Sequence, residues 1–338
     1  MFEGKVFLPK IATLKKKTPY NQRIYEPLTL LWFSDSHAEF VNIERIGKWV
    51  DSYSEYIDDV LNCGDTIYDN FPQTDKILPY FEKYNGANYL LALGNHDVTS
   101  PSSANKEWDG TYTPKQIYDQ YIAKLNISNL GIIQPSGASN GKCYYYKDYQ
   151  RGVNGVRLIV IDSCITDESY QQEQLTWFES VLNEAKLTNK SVLVASHYTP
   201  KKIVEFSNAD GFASGGLDII GTDVIKDDYI IAVDNYISNG GDFISWLCGH
   251  VHSDRIGVIS EHTNQLVIAV NCTYMDYMRS AINPYRAEGC VTQDAFDILG
   301  IDTYYALIRL VRVGMPFNSL GKKIDMLTVN YKSKKIVE

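Results

Sequence analysis

Acidic residues and histidines recur in this sequence directly after short apolar runs. In the first case the run Leu28–Phe33 is followed by Asp35 and His37, two positions apart. Alternate residues of an extended segment point to the same side, so both side chains can reach one metal ion from the end of a buried strand. Carboxylates and imidazoles are common ligands of divalent metals. This stretch therefore predicts part of a metal site.

The same pattern occurs four more times along the chain. Apolar runs lead into Gly64-Asp65, Gly94-Asn95-His96-Asp97, Ser196-His197 and Gly249-His250-Val251-His252. Of the six histidines in the chain, only His262 lies outside these motifs, and core packing does not explain that distribution. Each motif alone is common, but five in this order indicate one metal centre along the carboxyl edge of a β-sheet.

The motifs supply seven oxygen or nitrogen donors. They are Asp35, His37, Asp65, Asn95, His197, His250 and His252. Seven donors exceed the four of a tetrahedral zinc site, so they favour two ions, with Asp65 as the carboxylate that bridges them. Two divalent ions about 3.5–4 Å apart hold a bridging hydroxide and clamp both oxygens of an in-line displacement at phosphorus. The predicted reaction is hydrolysis of a phosphomonoester or phosphodiester by attack of that hydroxide.

Two residues of the third motif are predicted to be catalytic. His96 follows the ligand Asn95 but is not needed as a ligand itself. It is placed to donate a proton or a hydrogen bond to the leaving-group oxygen, as a general acid. Asp97 is adjacent and is expected to orient the His96 ring.

Apolar periodicity predicts the elements that position these motifs. A helix from about Asn42, with Ile43, Ile46 and Val50 on one face, separates the first two apolar runs, and a helix near residues 75–84 separates the second and third. This alternation of strands and helices predicts right-handed crossovers and a largely parallel sheet. Later segments include an amphipathic helix at 171–187 and strands at 266–270, 304–313 and 324–331.

Two segments interrupt this alternation, near residues 98–140 and 198–242. The first contains a helix with Thr113 as N-cap and Pro114 at its first position, and the second contains a Gly-rich loop and a helix that ends at Asn239-Gly240. Insertions after metal-binding turns are well placed to cover a substrate. With no internal repeat and no long polar linker, residues 1–338 are predicted to form a single α/β domain with two cap-like insertions.

Residues 143–149 and 156–161 are predicted to form paired strands. Asp162 ends the second of them and resembles the ligand-bearing strand ends, but no histidine accompanies it. We therefore interpret Asp162 as a structural residue that caps the following turn.

Composition excludes some classes of partner. The chain has 338 residues, 44% of them hydrophobic, and a formal net charge of −9, which is typical of a globular protein and argues against binding to duplex nucleic acid or to acidic lipid. No apolar run is long enough to span a membrane, and Met1–Tyr20 has no apolar signal core. A cytoplasmic protein with a small phosphorylated substrate and no membrane partner is expected, and its oligomeric state is open.

The six cysteines form no C-x-x-C pair. Cys63 and Cys248 end apolar runs, directly before the glycines of two motifs. They are predicted to be buried, reduced thiols rather than disulfides or metal ligands.

The order of motifs resembles that of the calcineurin-like metallophosphoesterase superfamily, and the intervening strands fit from about Thr29 to Val313. The resemblance is carried by Asp35-Ser36-His37, Gly64-Asp65, Gly94-Asn95-His96-Asp97, His197 and His250-Val251-His252. It implies a four-layer α/β/β/α sandwich of two mixed β-sheets. It also implies a first metal held by Asp35, His37, Asp65 and His252, a second held by Asp65, Asn95, His197 and His250, and His96 as the proton donor. The cofactors would be two divalent transition-metal ions (manganese, iron or zinc, and sometimes nickel or cobalt), between which these ligands do not choose.

Gly64-Asp65-Thr66-Ile67-Tyr68 is also similar to the Gly-Asp-x-x-Tyr pattern of purple acid phosphatases, in which the tyrosine binds ferric iron. Those enzymes carry Asp-x-Gly in their first motif, whereas His37 occupies that position here. Tyr68 is therefore expected to pack or hydrogen-bond near the site rather than to bind metal.

The substrate is less constrained by the sequence. The two insertions and the stretch Tyr274–Arg286 are expected to frame the pocket, and the side chains able to stack on or pair with an organic phosphate are Trp108, Tyr112, Tyr198, Arg255 and Arg279. Two other functions remain: a metal-dependent nuclease acting on single-stranded nucleic acid, and a non-catalytic interaction scaffold of the same fold. A scaffold is expected to lose ligand residues, and none is lost here.

Overall fold

A computed structural model describes most of the chain. The described residues are 26–37, 40–67, 88–100, 103, 108–125, 127–205, 217–218, 224–259, 262–270, 273, 293–315 and 326–337. The predicted helix near 75–84, Tyr68, and the stretch 274–286 with Arg279 lie outside these residues.

The described part contains sixteen strands and six α-helices. The strands are β1 Leu28–Phe33, β2 Asp59–Asn62, β3 Asn88–Leu91, β4 Ile132–Ile133, β5 Tyr145–Tyr149, β6 Val156–Val160, β7 Ser191–Ala195, β8 Lys202–Glu205, β9 Leu217–Asp218, β10 Asp242–Cys248, β11 Arg255–Ile259, β12 Gln265–Ala269, β13 Ala295–Asp302, β14 Leu307–Gly314, β15 Met326–Asn330 and β16 Lys335–Ile336. The helices are α1 Phe40–Tyr53, α2 Asn95–Val98, α3 Pro114–Gln120, α4 Ile127–Leu130, α5 Glu168–Leu187 and α6 Asp227–Ser238. No helix of the described residues is both long enough and apolar enough to cross a membrane.

The strands form two mixed sheets. Sheet A has the order β16-β15-β14-β13-β1-β2-β3, and sheet B has the order β4-β5-β6-β7-β10-β12-β11-β8-β9. Among the described strands, the parallel pairs are those within β1–β2–β3 of sheet A and β6–β7–β10–β12 of sheet B. The expectation of a largely parallel sheet is wrong outside these strands, because hairpins such as β13–β14 and β5–β6 add antiparallel neighbours.

Helices cover the outer face of each sheet. In α1 the residues Ile43, Ile46 and Val50 are buried as predicted, and Trp49 packs edge-on against Phe296 of β13 with ring centroids 5.7 Å apart. On the other side, α5 places Phe178 against a ring of α6 and against Trp246 of β10. The chain is therefore a four-layer α/β/β/α sandwich.

The two sheets contact each other through buried polar groups as well as apolar ones. The Tyr145 hydroxyl of β5 donates to the carbonyl of Leu91 in β3 at 3.0 Å and accepts from its amide at 2.8 Å. The Cys63 thiol, at the end of β2, donates to the carbonyl of Leu247 in β10 at 3.6 Å, and its sulfur accepts from the Trp32 indole of sheet A at 3.2 Å. Cys63 and Cys248 are buried free thiols, as predicted.

Local signals in the sequence identified several elements well. Thr113 and Gln116 form a reciprocal capping box at the start of α3, since Gln116 N donates to Thr113 Oγ1 at 3.3 Å and Thr113 N donates to Gln116 Oε1 at 2.9 Å. Asp162 Oδ1 accepts from the amides of Cys164 and Ile165 at 2.9 and 3.2 Å, which is the predicted turn cap.

The segments predicted as insertions supply elements of the sandwich itself. Within 98–140, β4 pairs with β5 at one edge of sheet B. Within 198–242, β8 pairs with β11 at the other edge, and α6 packs against α5 and β10. The strands β11 and β13 were not predicted, and the strand predicted from Tyr304 begins at Leu307, because Tyr304 and Tyr305 form an exposed turn.

Candidate metal centre

The five motifs lie at the carboxyl ends of five strands, along one edge of the sandwich. β1, β2 and β3 of sheet A carry the first three motifs, and β7 and β10 of sheet B carry the last two. Backbone hydrogen bonds join adjacent turns: Asp35 N donates to Gly64 O at 2.9 Å, and Gly249 N donates to His197 O at 3.0 Å. Converging strand ends thus bring together residues that are far apart in sequence.

The first group of donors consists of Asp35, His37, Asp65 and His252. One ligand atom from each lies within 4.8 Å of the others. His252 Nε2 is 3.1 Å from Asp35 Oδ1 and 3.3 Å from His37 Nε2, and His37 Nε2 is 3.8 Å from Asp65 Oδ2.

The second group consists of Asp65, His197 and His250, again with ligand atoms within 4.8 Å of one another. His197 Nε2 lies 3.3 Å from Asp65 Oδ2 and 3.0 Å from Asn95 Oδ1, so the Asn95 amide belongs to this group. Asp65 is common to both groups. The structure therefore brings all seven sequence-predicted donors together, with Asp65 between them.

Five of these seven donors have a left-handed backbone conformation, with positive φ. The φ angles of Asp35, His37, Asp65, His250 and His252 are 56°, 45°, 50°, 66° and 49°. Such left-handed conformations cost non-glycine residues about 1–3 kcal/mol each and persist only where surrounding contacts hold them. Five of the nine such residues in the described part of the chain lie at these strand ends, a concentration that is typical of functional sites.

The motif glycines allow the turns to approach one another closely. A β-carbon on Gly94 would lie 2.2 Å from the amide nitrogen of Asp65, and one on Gly249 would lie 1.9 Å from Ser34 Oγ. Any larger residue at these two positions would push the donor-bearing turns apart.

The electrostatics favour the ligand forms of four donors. Burial opposes ionisation of Asp35, but the His252 and His197 imidazoles together outweigh it and hold the pKa at about 2. Asp65 is also buried, and His197 holds its pKa well below the ordinary value. Burial lowers the pKa of both His37 and His250 to about 4, which leaves each imidazole neutral, with one ring nitrogen free to bind a metal. Ionised carboxylates and neutral imidazoles are the forms that bind metal.

His197 is held in a fixed orientation. Its Nδ1–H donates to the carbonyl oxygen of Cys63 at 2.7 Å, which directs Nε2 toward Asp65 and Asn95. Burial lowers the pKa of His197, but its contacts with Asp65, the charge of Asp35 and the hydrogen bond to Cys63 together outweigh burial and raise the pKa to about 9. A backbone partner on the far nitrogen is the usual way a ligating histidine is oriented.

His96 and Asp97 occupy different environments. His96 Nε2 lies 3.9 Å from Asp65 Oδ2, and its ring packs edge-on against His37 with centroids 4.8 Å apart. The buried Asp97 accepts from the amides of Thr66 (2.9 Å) and Ile67 (3.2 Å) through Oδ1 and from that of Gly94 (2.9 Å) through Oδ2. The expectation that Asp97 orients the His96 ring is therefore corrected, since its carboxylate instead joins the two turns that carry Asp65 and Asn95. Burial and the Asp65 charge raise the pKa of Asp97 to about 7.

The residues predicted to contact substrate differ in their surroundings. Tyr198 is only 2% exposed, and its ring centroid lies 4.8 Å from that of His250 and 5.6 Å from that of His197. It therefore supports the ligand histidines rather than forming an open stacking surface. Arg255 Nε donates to Ser253 Oγ at 2.9 Å, and Trp108 Nε1 donates to the Tyr112 carbonyl at 2.9 Å.

Sequence reasoning missed several groups that position the donors. The Cys63 carbonyl and the Tyr198 ring act through backbone geometry and packing, for which no motif exists. A buried ion cluster that includes Asp254 also lies next to the last motif. Asp254 is only two residues beyond His252, but Arg312, which binds it, lies 58 residues further along the chain.

Two mixed sheets with donor groups that share one carboxylate at the strand ends define a metallophosphoesterase-like fold. The sequence pattern described as Calcineurin-like phosphoesterase matches residues 28–254, about two thirds of the chain. The chain belongs to the calcineurin-like phosphoesterase family.

Solved structures with the same fold are distant in sequence. A dimetal phosphatase from Danio rerio is 12% identical, with a TM-score of 0.55, over 90% of this chain and 100% of that one. The purple acid phosphatase PPD1 from yellow lupin seeds is 16% identical, with a TM-score of 0.51, over 90% of this chain but 54% of that one. GAP50, described as the anchor in the inner membrane complex of Plasmodium, is 12% identical, with a TM-score of 0.51, over 91% of this chain and 90% of that one. A search of curated proteins found no match.

Proposed function

We propose that the protein is a dinuclear metal-dependent phosphohydrolase that cleaves a small phosphomonoester or phosphodiester. The observation that carries this proposal is the position of Asp65. One of its oxygens, Oδ2, lies 3.3 Å from His197 Nε2 of one donor group and 3.8 Å from His37 Nε2 of the other. A carboxylate in that position can bridge two cations.

The donors fit two divalent transition-metal ions. Two carboxylates, four imidazoles and one amide oxygen suit manganese, iron or zinc in expanded coordination. Asp35, His37, Asp65 and His252 would hold the first ion, and Asp65, Asn95, His197 and His250 the second. When bound, the ions would supply a nucleophilic water of lowered pKa and neutralise charge on the phosphate oxygens.

The residues of the chain itself would orient the ester and transfer the proton. His96 is partly exposed, with 13% of its side chain accessible, and lies 3.9 Å from Asp65, so it can reach a phosphate ester bound at the centre. It would donate a proton to the departing oxygen. Asp97 would act indirectly, because its hydrogen bonds hold the turns on which His96 and Asp65 stand.

The named structures favour hydrolysis without deciding the substrate. Two of them are phosphatases, and one of these is described as a dimetal enzyme. The Plasmodium protein is described as an anchor, which agrees with the scaffold alternative. The complete donor set in this chain supports the catalytic function over the scaffold.

The proposal is tested by screening the purified protein, supplied with Mn²⁺, against phosphomonoesters and phosphodiesters. The wild type should hydrolyse at least one ester class, and Asp65→Asn should abolish that activity. His262→Ala is the matched control, since His262 pairs with Asp234 outside the motifs, and it should retain wild-type rates.

Two other results would contradict the proposal. A protein that holds its metals but turns over no ester would favour the scaffold. Preferential cleavage of single-stranded oligonucleotides, with binding that weakens steeply as salt rises, would favour the nuclease.

A further inference from the structure

A buried ion cluster connects sheet A to the loop that carries His250 and His252. Arg312 of β14 contacts Asp297 through Nε and Nη2, at 2.9 and 3.0 Å. It also contacts both oxygens of Asp254, through Nη1 at 3.2 Å and through Nη2. The three side chains are 4–6% exposed. One guanidinium that grips two carboxylates in this way fixes their relative position.

The cluster spans the two sheets of the sandwich. In sheet A, Asp297 of β13 pairs directly with Arg312 on one side and with Trp32 of β1 on the other. Asp254 lies between His252 and the start of β11, in the loop that leads into that strand of sheet B. Arg312 therefore reaches from the middle of sheet A to the last residue of the ligand loop in sheet B.

That loop, residues 249–254, needs support at both ends. His250 and His252 adopt φ angles of 66° and 49°, which cost energy unless neighbouring contacts hold them. At the start of the loop, Gly249 N donates to His197 O at 3.0 Å and His250 N donates to Asp35 Oδ2 at 3.1 Å. At its end, Arg312 binds Asp254.

We propose that Arg312 is a positioning residue for the metal centre, which holds His252 in the first donor group through Asp254. Buried ion clusters stabilise a fold little compared with apolar packing of the same volume, so a cluster at this place is better explained by the geometry it imposes. Arg312 and Asp297 lie beyond residues 28–254, so this support comes from outside the segment that matches the family. The inference rests on the metal centre proposed above but not on the hydrolysis.

The test is a Co²⁺ titration followed by visible absorption, with wild type, Arg312→Met and Arg157→Met compared. Arg157 is the matched control, because it is 1% exposed and grips Asp148 at 2.8 and 2.9 Å, away from the ligand loop. Arg312→Met should weaken one of two binding events about 10- to 100-fold and spare the other, as loss of a residue that orients a ligand does. Arg157→Met should leave both unchanged. Arg312→Lys should restore part of the loss, since an ammonium keeps the charge without the fork.

Hydrogen exchange in the metal-free proteins provides a second readout. Exchange of peptides covering 249–254 should accelerate in Arg312→Met and not in Arg157→Met. If Arg312→Met does not fold, Asp254→Asn, which keeps the side-chain shape, should show the same selective loss.

Equal effects of the two arginine variants on Co²⁺ binding and exchange would overturn the inference, as would an Asp254→Asn protein with two unchanged binding events. A wild type that binds two ions yet hydrolyses nothing would refute the proposed function and leave the inference standing. A wild type that binds no ion would refute both.

Discussion

Strand β2 places a buried carboxylate near each of its ends, and the two have different partners. Asp59 is the first residue of the strand and Asp65 lies three residues beyond its last, and both are at most 1% exposed. Asp59 Oδ2 lies 2.7 Å from Lys147 Nζ and accepts a hydrogen bond from the Tyr149 hydroxyl, both of β5. Asp65 is approached instead by the imidazoles of three motifs, at 3.3 to 3.9 Å.

Both carboxylates are buried, so the type of partner, and not burial, distinguishes the proposed bridging ligand Asp65 from Asp59, which is held by a lysine and a tyrosine. A lysine supplies a fixed positive charge, so the charge of Asp59 is balanced within the chain. Imidazoles beside Asp65 can supply nitrogen lone pairs as well as protons. Burial lowers the pKa of His37 to about 4, whereas burial of His197 is outweighed by its contacts, chiefly with Asp65, which raise its pKa to about 9. The backbone conformations of the two residues also differ. Asp65 has a left-handed conformation with φ 50°, whereas Asp59 lies in a regular strand.

The largest contrast is expected between Asp65→Asn and Asp59→Asn, which each remove one buried charge at nearly constant volume. Asp65→Asn should lose metal from both donor groups, because the shared ligand no longer bridges. Asp59→Asn should keep its metals but lose about 3 kcal/mol of stability, because Lys147 is left without its charged partner. Elemental analysis measures the first effect, and urea unfolding of the metal-free proteins measures the second.

Two results would contradict this comparison. Retention of both metals by Asp65→Asn would show that it does not bridge them. Loss of metal from a stably folded Asp59→Asn would show that the two ends of β2 are not independent.

A smaller effect should separate catalysis from metal binding at the Asp65 end. His96→Ala should slow hydrolysis of an alkyl phosphate ester by about 10²–10⁴, because an alkoxide leaves poorly without a proton donor. A nitrophenyl ester should keep much of its rate, because nitrophenolate is a weak base. Parallel rate measurements on both esters test this, with metal content as the control.

Equal losses on the two esters, with metals retained, would remove the general-acid role and leave His96 as a phosphate-positioning group. Loss of metal from His96→Ala would show that His96 belongs among the ligands.

The smallest effect concerns Cys63, which lies between the two carboxylates. Burial raises the pKa of its thiol well above the ordinary value, and burial raises that of Cys248 to about 12. Both thiols should resist alkylation at pH 8 in the folded protein and react fully once it is denatured without reductant. Mass spectrometry of the two peptides gives the extent of labelling. A disulfide at either position, or rapid labelling of the folded protein, would show that the end of β2 or the end of β10 is not closely packed.

The donor set was predictable because the relevant signal is local. An apolar run followed by Gly-Asp or Gly-His-x-His places ligands at a strand end, and parallel strand ends meet at one sheet edge. The β1, β2 and β3 order follows from the same reasoning, as does the burial of Ile43 and Ile46 on α1.

The remaining features depend on contacts that no local pattern encodes. The left-handed backbone of Asp35 and His252 is imposed by neighbouring turns, since neither residue type requires it. Asp97 is adjacent to His96 in sequence, but its carboxylate accepts instead from two amides of the Asp65 turn and from the Gly94 amide of its own turn. Arg312 is separated from Asp254 by 58 residues and meets it only when the sheets stack.

The most direct test of the account is a crystal structure of the protein grown with Mn²⁺, with anomalous scattering used to locate the ions. Two anomalous peaks about 3.5–4 Å apart are expected at the carboxyl edge of the sandwich, both within bonding distance of the Asp65 carboxylate. A single peak under saturating Mn²⁺, or two peaks of which only one contacts Asp65, would contradict it.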